Sequence, residues 1–136
     1  MAKIEITGLG ETLISMEKMA NIPNDVMKQI MDAQANVVVD AQKKTASTML
    51  RGPYYKGGVA EGVSKGRYKR LKDGAEHYVV FKGEQHGDRI AEIAFINEYG
   101  KKGQPARPFI KTANEQAEPL IEDVAAKILY DWQDNQ

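Results

Sequence analysis

The spacing of apolar residues between Asp25 and Leu50 limits the possible folds more than any other feature of the chain. Val26, Ile30, Ala33, Val37, Ala41, Thr45 and Thr48 recur at three- and four-residue steps, with Met27, Met31, Val38 and Met49 beside them. That is helical spacing, kept up for about seven turns at 3.6 residues per turn. Pro23 and Asn24 suit the entry, as a first-turn proline or a capping residue. A helix of that length with one apolar stripe is expected to span its domain and rest on a sheet or on other helices. A second stripe, Phe109, Ala113, Ala117, Leu120, Ile121, Val124, Ile128 and Trp132, predicts another long helix. Pro119 falls inside it and cannot donate a backbone hydrogen bond. A kink near residues 115–119, or two abutting helices, is therefore expected, with the tail from Asp131 frayed.

The intervening chain reads as short strands and loops. Residues 3–6 alternate as a strand does, whereas Leu9, Leu13, Met16 and Ala20 are spaced as a short helix. Residues 51–66 hold five glycines and one proline, a loop longer than compact domains usually carry without a function. Three strand candidates follow: residues 66–71, the weakest, then 76–82, then 89–97, with turn signals at 72–75 and 83–88. Together they predict an antiparallel meander with 89–97 as its central strand. The fold class expected is α+β: a short antiparallel sheet of about three to four strands against a long N-terminal helix and a kinked C-terminal helix. One domain, 1–136, is expected, with mobile loops at 51–66 and 99–106; mobility is expected to extend to residue 70 in the isolated subunit.

With 136 residues, 42% of them hydrophobic, the chain can bury a real core. It has no cysteine, which removes disulfides, thiolate metal sites and a cysteine nucleophile. Neither a signal-peptide pattern nor an apolar run of membrane-spanning length is visible, so a soluble protein made in the cytoplasm is expected.

Catalytic patterns are missing as well. His77 falls in a predicted strand and His86 in a turn, and neither has a second histidine at helical spacing. A metal site from His77, His86 and Asp88, serving a hydrolase, is the weakest of three functional readings. Gly8-Leu9-Gly10 is too short for a dinucleotide fingerprint, and neither Lys65-Gly66 nor Lys101-Lys102-Gly103 sits in a P-loop frame. Glu92 and Glu98 lie on one predicted strand without an acid or base partner. No catalytic residue, cofactor or metal is expected, and the reading is of a protein that is not an enzyme.

Charge is balanced overall at 19 basic and 19 acidic residues but unevenly spread. Residues 41–82 carry ten basic and three acidic side chains, a net of +7. Residues 1–40 and 111–136 carry −3 and −4. A molecule with one basic and one acidic face can dock head to tail on its own copies or bring the basic face to DNA. Tyr54, Tyr55 and Tyr68 lie among Arg51, Lys56, Lys65, Arg67, Lys69 and Arg70, and aromatics among cations can stack bases and neutralise phosphates.

One further segment stands out. Asn97-Glu98-Tyr99-Gly100 ends an apolar run, with Gly100 free to take positive φ. Pro105 and Pro108 hold their preceding residues extended, which displays Arg107 for a two-pronged bond to a carboxylate, Glu98 or a neighbour's. Phe109 is expected in the core at the start of the last helix. The sequence Glu98-Tyr99-Gly100, a variable loop, then Pro105-Ala106-Arg107-Pro108-Phe109 and a helix resembles a family of small tailed-phage proteins. These are minor tail or neck components, described as head–tail joining or tail-completion proteins. The layout agrees, with a long alanine- and valine-containing helix (Val37-Val38-Val39-Asp40-Ala41), a glycine-rich loop and a small sheet. Many members carry Thr-Gly-Xaa-Leu-Arg after the first helix, where this chain has Met49-Leu50-Arg51-Gly52-Pro53-Tyr54-Tyr55.

The resemblance implies a structural virion protein of a phage or prophage. It would sit at the head–tail interface as a ring of its own copies, sixfold to match the tail, against neighbouring connector and tail proteins. Glu98, Tyr99, Gly100, Arg107, Tyr54, Tyr55, Arg67, Lys69 and Arg70 are the contact candidates. Pro105, Ala106, Pro108 and Phe109 are the structural part of the motif. The rival is a nucleic-acid-binding module using residues 51–72.

Overall fold

A computed structural model describes residues 2–50, 57–85 and 87–135. The chain opens with a hairpin, β1 (Ala2–Thr7) and β2 (Glu11–Met16), paired antiparallel from Ala2 opposite Met16 to Thr7 opposite Glu11. Helix α1 (Asn24–Met49) follows, then a short helix α2 (Gly58–Gly62), then a second hairpin of β3 (Val63–Leu71) and β4 (Gly74–Phe81). Two-residue strands β5 (Glu84–Gln85) and β6 (Asp88–Arg89) pair with each other and lead into α3 (Ile90–Tyr99). Helix α4 (Phe109–Asp134) ends the described chain. The four longer strands form one antiparallel sheet in the order β1-β2-β4-β3, packed with the two long helices in an α+β arrangement.

Helices α1 and α4 lie antiparallel, as the side-chain bonds between them show: Gln34 to Ile121, Gln42 to Asn114, Thr45 to Phe109. One apolar cluster joins them to the sheet, built on Ile14, Met27, Ile30, Met31, Val38, Val79, Phe109, Ile110 and Ile121. The buried face of α1 keeps Val26, Ile30 and Thr45 of the expected stripe but is turned from the rest of it. Met27, Met31 and Val38 are core, whereas Ala33, Val37 and Ala41 are half-buried and Thr48 is exposed. The turn brings Gln34 and Gln42 wholly inside. Gln42 donates to the Thr12 hydroxyl (2.8 Å) and to Asn114 Oδ1 (3.0 Å), and Asn114 donates to the same hydroxyl (3.2 Å). These bonds tie both helices to β2. The amide NH2 groups of both glutamines are thus bonded, while Gln34 Oε1 and Gln42 Oε1 have no partner among the described residues. Burying such groups depends on bonds of this kind, so an apolar pattern alone could not place this face.

Several expectations are corrected. Residues 11–16 are a strand rather than a helix, because Gly8 (φ 50°) and Gly10 (φ 92°) reverse the chain and set Thr12, Ile14 and Met16 alternately inward. Residues 89–97 are not the central strand. From Ile90 to Tyr99 they are helical, with Ile90, Ala94 and Glu98 at four-residue steps turned inward. An apolar run with such residues on all sides satisfies both periods, and packing chooses between them. The two central positions go to β2 and β4, so the expected meander is replaced by two hairpins joined edge to edge. The segment 63–66 belongs to β3, a nine-residue strand where only a weak one was expected, and 58–62 is α2. The loop foreseen over 51–66 is thus largely structured from Gly58 onward. Residues 51–56, with Tyr54 and Tyr55, lie outside the described residues. Helix α4 runs unbroken through Pro119 and on to Asp134, without a second helix or a frayed end at 131. Glu115 and Pro119 are both exposed, so water can serve the carbonyl that proline leaves without a donor. Leu120, counted in the apolar stripe, is 49% exposed.

Candidate functional site

The joint between α3 and α4 is built from both ends inward. No side chain of the N-cap residue Pro108 serves the first amides of α4. Glu98, from the last turn of α3, does so instead. Its Oε1 accepts from Ile110 N–H at 2.6 Å and its Oε2 from Lys111 N–H at 3.2 Å. These are the second and third amides of the helix, the ones a capping side chain normally takes, and the helix dipole favours a carboxylate there. Glu98 is only 4% exposed. Burial pushes its carboxyl above the usual glutamate range, a rise partly offset by the amides of Ile110 and Lys111 and by the Lys111 charge. Phe109 is fully buried and meets Phe81 edge to face at 5.8 Å.

Between these anchors the backbone is pinned. Gly100 takes φ 78°, ψ 175°, a conformation open essentially to glycine alone. A Cβ there would lie 2.8 Å from Ala106 N and 2.9 Å from Gln104 O. Lys101 and Gln104 exchange both backbone hydrogen bonds at 2.9 Å, closing a tight turn, and Arg107 N–H donates to Asn97 O at 2.6 Å. Phe109 N–H reaches back to Arg107 O at 2.7 Å around Pro108 (φ −76°, ψ 67°), an inverse γ-turn. The loop expected at 99–106 carries a hydrogen-bonded turn at 101–104, and Tyr99 belongs to α3.

The motif residues accordingly divide. Glu98 and Gly100 were candidates for contact, but the first is buried under the α4 amides and the second is a backbone requirement. Phe109 is the core anchor that was expected. Tyr99 (51% exposed, its ring 4.8 Å from Phe95), Pro105, Ala106, Arg107 and Pro108 are displayed at the surface.

The basic segment divides in the same way. Arg70 is engaged by the fold. Its guanidinium donates to Asn24 Oδ1 (3.1 Å) and to the carbonyls of Ile22 (2.8 Å), Met19 and Leu71 (3.3 Å each) and Gly74 (2.5 Å), clamping the β3–β4 turn to the entry of α1. Tyr68 turns inward against His77 at 5.6 Å, with Lys28 over its ring. Burial raises its phenol. Arg67 and Lys69 are exposed. Arg67 lies 5.5 Å above Tyr78 on the outer face of the sheet, where Lys65, Arg67, Lys82, Tyr78, Val80 and Glu11 line an open hollow of about 540 Å³. Tyr78 and Lys82 were not singled out from the sequence. The alternation of β4, with His77, Val79 and Phe81 inward and Glu76, Tyr78 and Val80 outward, was the available signal, but it required the β3–β4 register.

His77 is 3% exposed, and its Nδ1–H donates to the Met31 carbonyl at 3.2 Å. Burial lowers its pKa, with that hydrogen bond and Asp32 acting against the shift. Its ring packs within the core. Asp88 is exposed in β6, and His86 lies outside the described residues. Among the described residues no three metal-ligating side chains come together, and no helix is long and apolar enough to cross a membrane. No protein-family model, curated protein or solved structure matches the chain.

Proposed function

We propose that the protein is a structural subunit of a phage or prophage virion. In this reading it is a head–tail joining or tail-completion component of the neck, which assembles as a ring of its own copies, sixfold with the tail, and binds neighbouring connector and tail proteins. The observation that carries this reading is the joint. A displayed segment, Tyr99 to Pro108, is held in one shape between two buried anchors, Glu98 and Phe109. Internal hydrogen bonds that restrict a surface loop reduce the entropy it loses on binding, which favours its use as a contact. The resemblance of the same segment to phage neck proteins supplies the setting.

The test is co-expression with the products of the adjacent genes, followed by native mass measurement and electron microscopy. Rings of this chain, or complexes with portal-proximal and tail proteins, are expected. Adjacent genes unrelated to virion assembly, together with a chain that binds none of their products, would overturn the reading.

A second reading, a nucleic-acid-binding module, is favoured by the hollow around Tyr78, where an aromatic face meets Lys65, Arg67 and Lys82. The structural engagement of Arg70 and Tyr68 removes two of its original residues. A salt titration with DNA decides it. Release of several counterions would support this module, and no binding at moderate salt would end it.

A further inference from the structure

The fold places the two charged segments at opposite sides of the molecule. Strands β1 and β3 are the two edges of the sheet. From Val63 to Lys82, β3, β4 and their flank carry six basic and two acidic residues, whereas α4 carries two basic and six acidic. Helix α4 lies along the β1 edge, where Glu122 Oε1 accepts from Ala2 N–H at 3.0 Å. There Glu5, Glu115 and Glu118 line a hollow of about 170 Å³ together with Ile4, Ile6 and Asn114, with Lys111 its single cation. At the other edge Lys65, Arg67 and Lys69 are exposed at every second residue of β3. Among the described residues neither these three cations nor Glu115 and Glu118 form an ion pair within the chain.

We infer that the basic β3 edge of one copy docks on the acidic α4–β1 edge of a second copy. The inference rests on the reading of the chain as a self-assembling subunit and adds the pair of faces through which it assembles. The partner is a second copy because the two surfaces carry opposite net charges of equal size. Each surface would repel its own kind, so a twofold dimer of like faces is disfavoured. Two different patches on opposite sides make a head-to-tail contact, which closes into a ring or continues as a filament. The charges steer the encounter and set its register, and Ile4 and Ile6, also lining the hollow, add apolar surface.

The test uses the full chain and two double variants, Lys65→Glu/Arg67→Glu and Glu115→Lys/Glu118→Lys, with all four positions exposed. Sedimentation velocity at low salt is expected to show self-association of the wild type that weakens as salt rises. Each double variant alone should associate at least about tenfold more weakly, because like charges then face each other. An equimolar mixture should regain association with strictly alternating composition, since each variant then meets an opposite face on both sides. That recovery also shows that both variants fold. A monomeric wild type at low salt would overturn the inference, as would association that ignores the reversals or a mixture that fails to recover. Association through other faces would leave the virion reading standing and remove only this pairing. A wild type that stays monomeric but binds single-stranded DNA, lost in Lys65→Glu/Arg67→Glu, would assign the basic edge to nucleic acid instead.

Discussion

Glu98→Ala tests the joint most directly. The substitution removes both acceptors from the first turn of α4. Loss of a helix cap costs about 0.5–2 kcal/mol. The Ile110 N–H, on a fully buried residue, then lacks a partner, at about 1–3 kcal/mol. Lys111 is exposed, so its amide can turn to water. Against these losses stands relief from burying a carboxylate, the effect that pushes Glu98 upward in pKa. The net expectation is about 1–3 kcal/mol of destabilisation. For 136 residues the unfolding entropy is about 0.29 kcal/mol/K, so this corresponds to roughly 4–10 °C in Tm. Glu98→Gln keeps one oxygen for Ile110 but turns an NH2 toward Lys111 N–H, and about half the loss is expected. The acid–base sign is a second check. Because the folded pKa is raised, the native state binds the proton more tightly than the unfolded chain. The stabilisation from that proton is complete below about pH 4.5 and is lost as pH rises through the folded pKa. Wild type should therefore gain on Glu98→Gln as the solution is acidified through that window. Thermal melting followed by circular dichroism measures both effects, and amide exchange at Ile110 and Lys111 should quicken in Glu98→Ala. A Glu98→Ala melting point within about 1 °C of wild type, with unchanged exchange at Ile110, would refute a capping role for Glu98, because its bonds to the Ile110 and Lys111 amides would then contribute nothing.

Other consequences are separate and measurable. His77 is held neutral by burial, so its contribution is complete above about pH 6.5 and is lost as pH falls through its lowered folded pKa. The loss is at most about 1.4 kcal/mol per pH unit, and denaturant titrations of wild type against His77→Gln should show the slope only in wild type. Gly100→Ala should cost about 1–3 kcal/mol through backbone strain, with crowding against Ala106 and Gln104 adding to it; an unchanged urea midpoint would contradict this. Gln42→Ala strips partners from Thr12 and Asn114 and leaves a cavity, so a loss of about 2–4 kcal/mol is expected in chemical unfolding. Arg70→Lys should fail to restore the stability lost in Arg70→Ala, because an ammonium cannot span Met19, Ile22 and Gly74 at once. Full rescue in a melting series would count against the clamp.

The two long helices were legible because a 3.6-residue stripe kept up for seven turns admits no other regular structure. Phe109 in the core and positive φ at Gly100 followed from residue type, since one is a large apolar ring and the other lacks a Cβ. The partition of the α+β fold was also readable, as was the uneven charge. Among the shorter elements, the strands at 3–6 and 76–82 were also legible, as β1 and β4, but others were not. Residues 90–99 and 11–16 hold too few turns or alternations for period to decide, so α3 and β2 depend on what they pack against. The rotation of α1 depends on Thr12 and Asn114, which make Gln42 a tolerable core residue. Glu98 shows the limit most clearly. Its neighbours in the chain suggested a surface carboxylate waiting for an arginine, yet the fold brings the amide end of α4 to it. A motif shows which residues stand close along the chain. Which of them are covered and which are displayed depends on residues brought together from far apart in sequence, and only the packed structure supplies those neighbours.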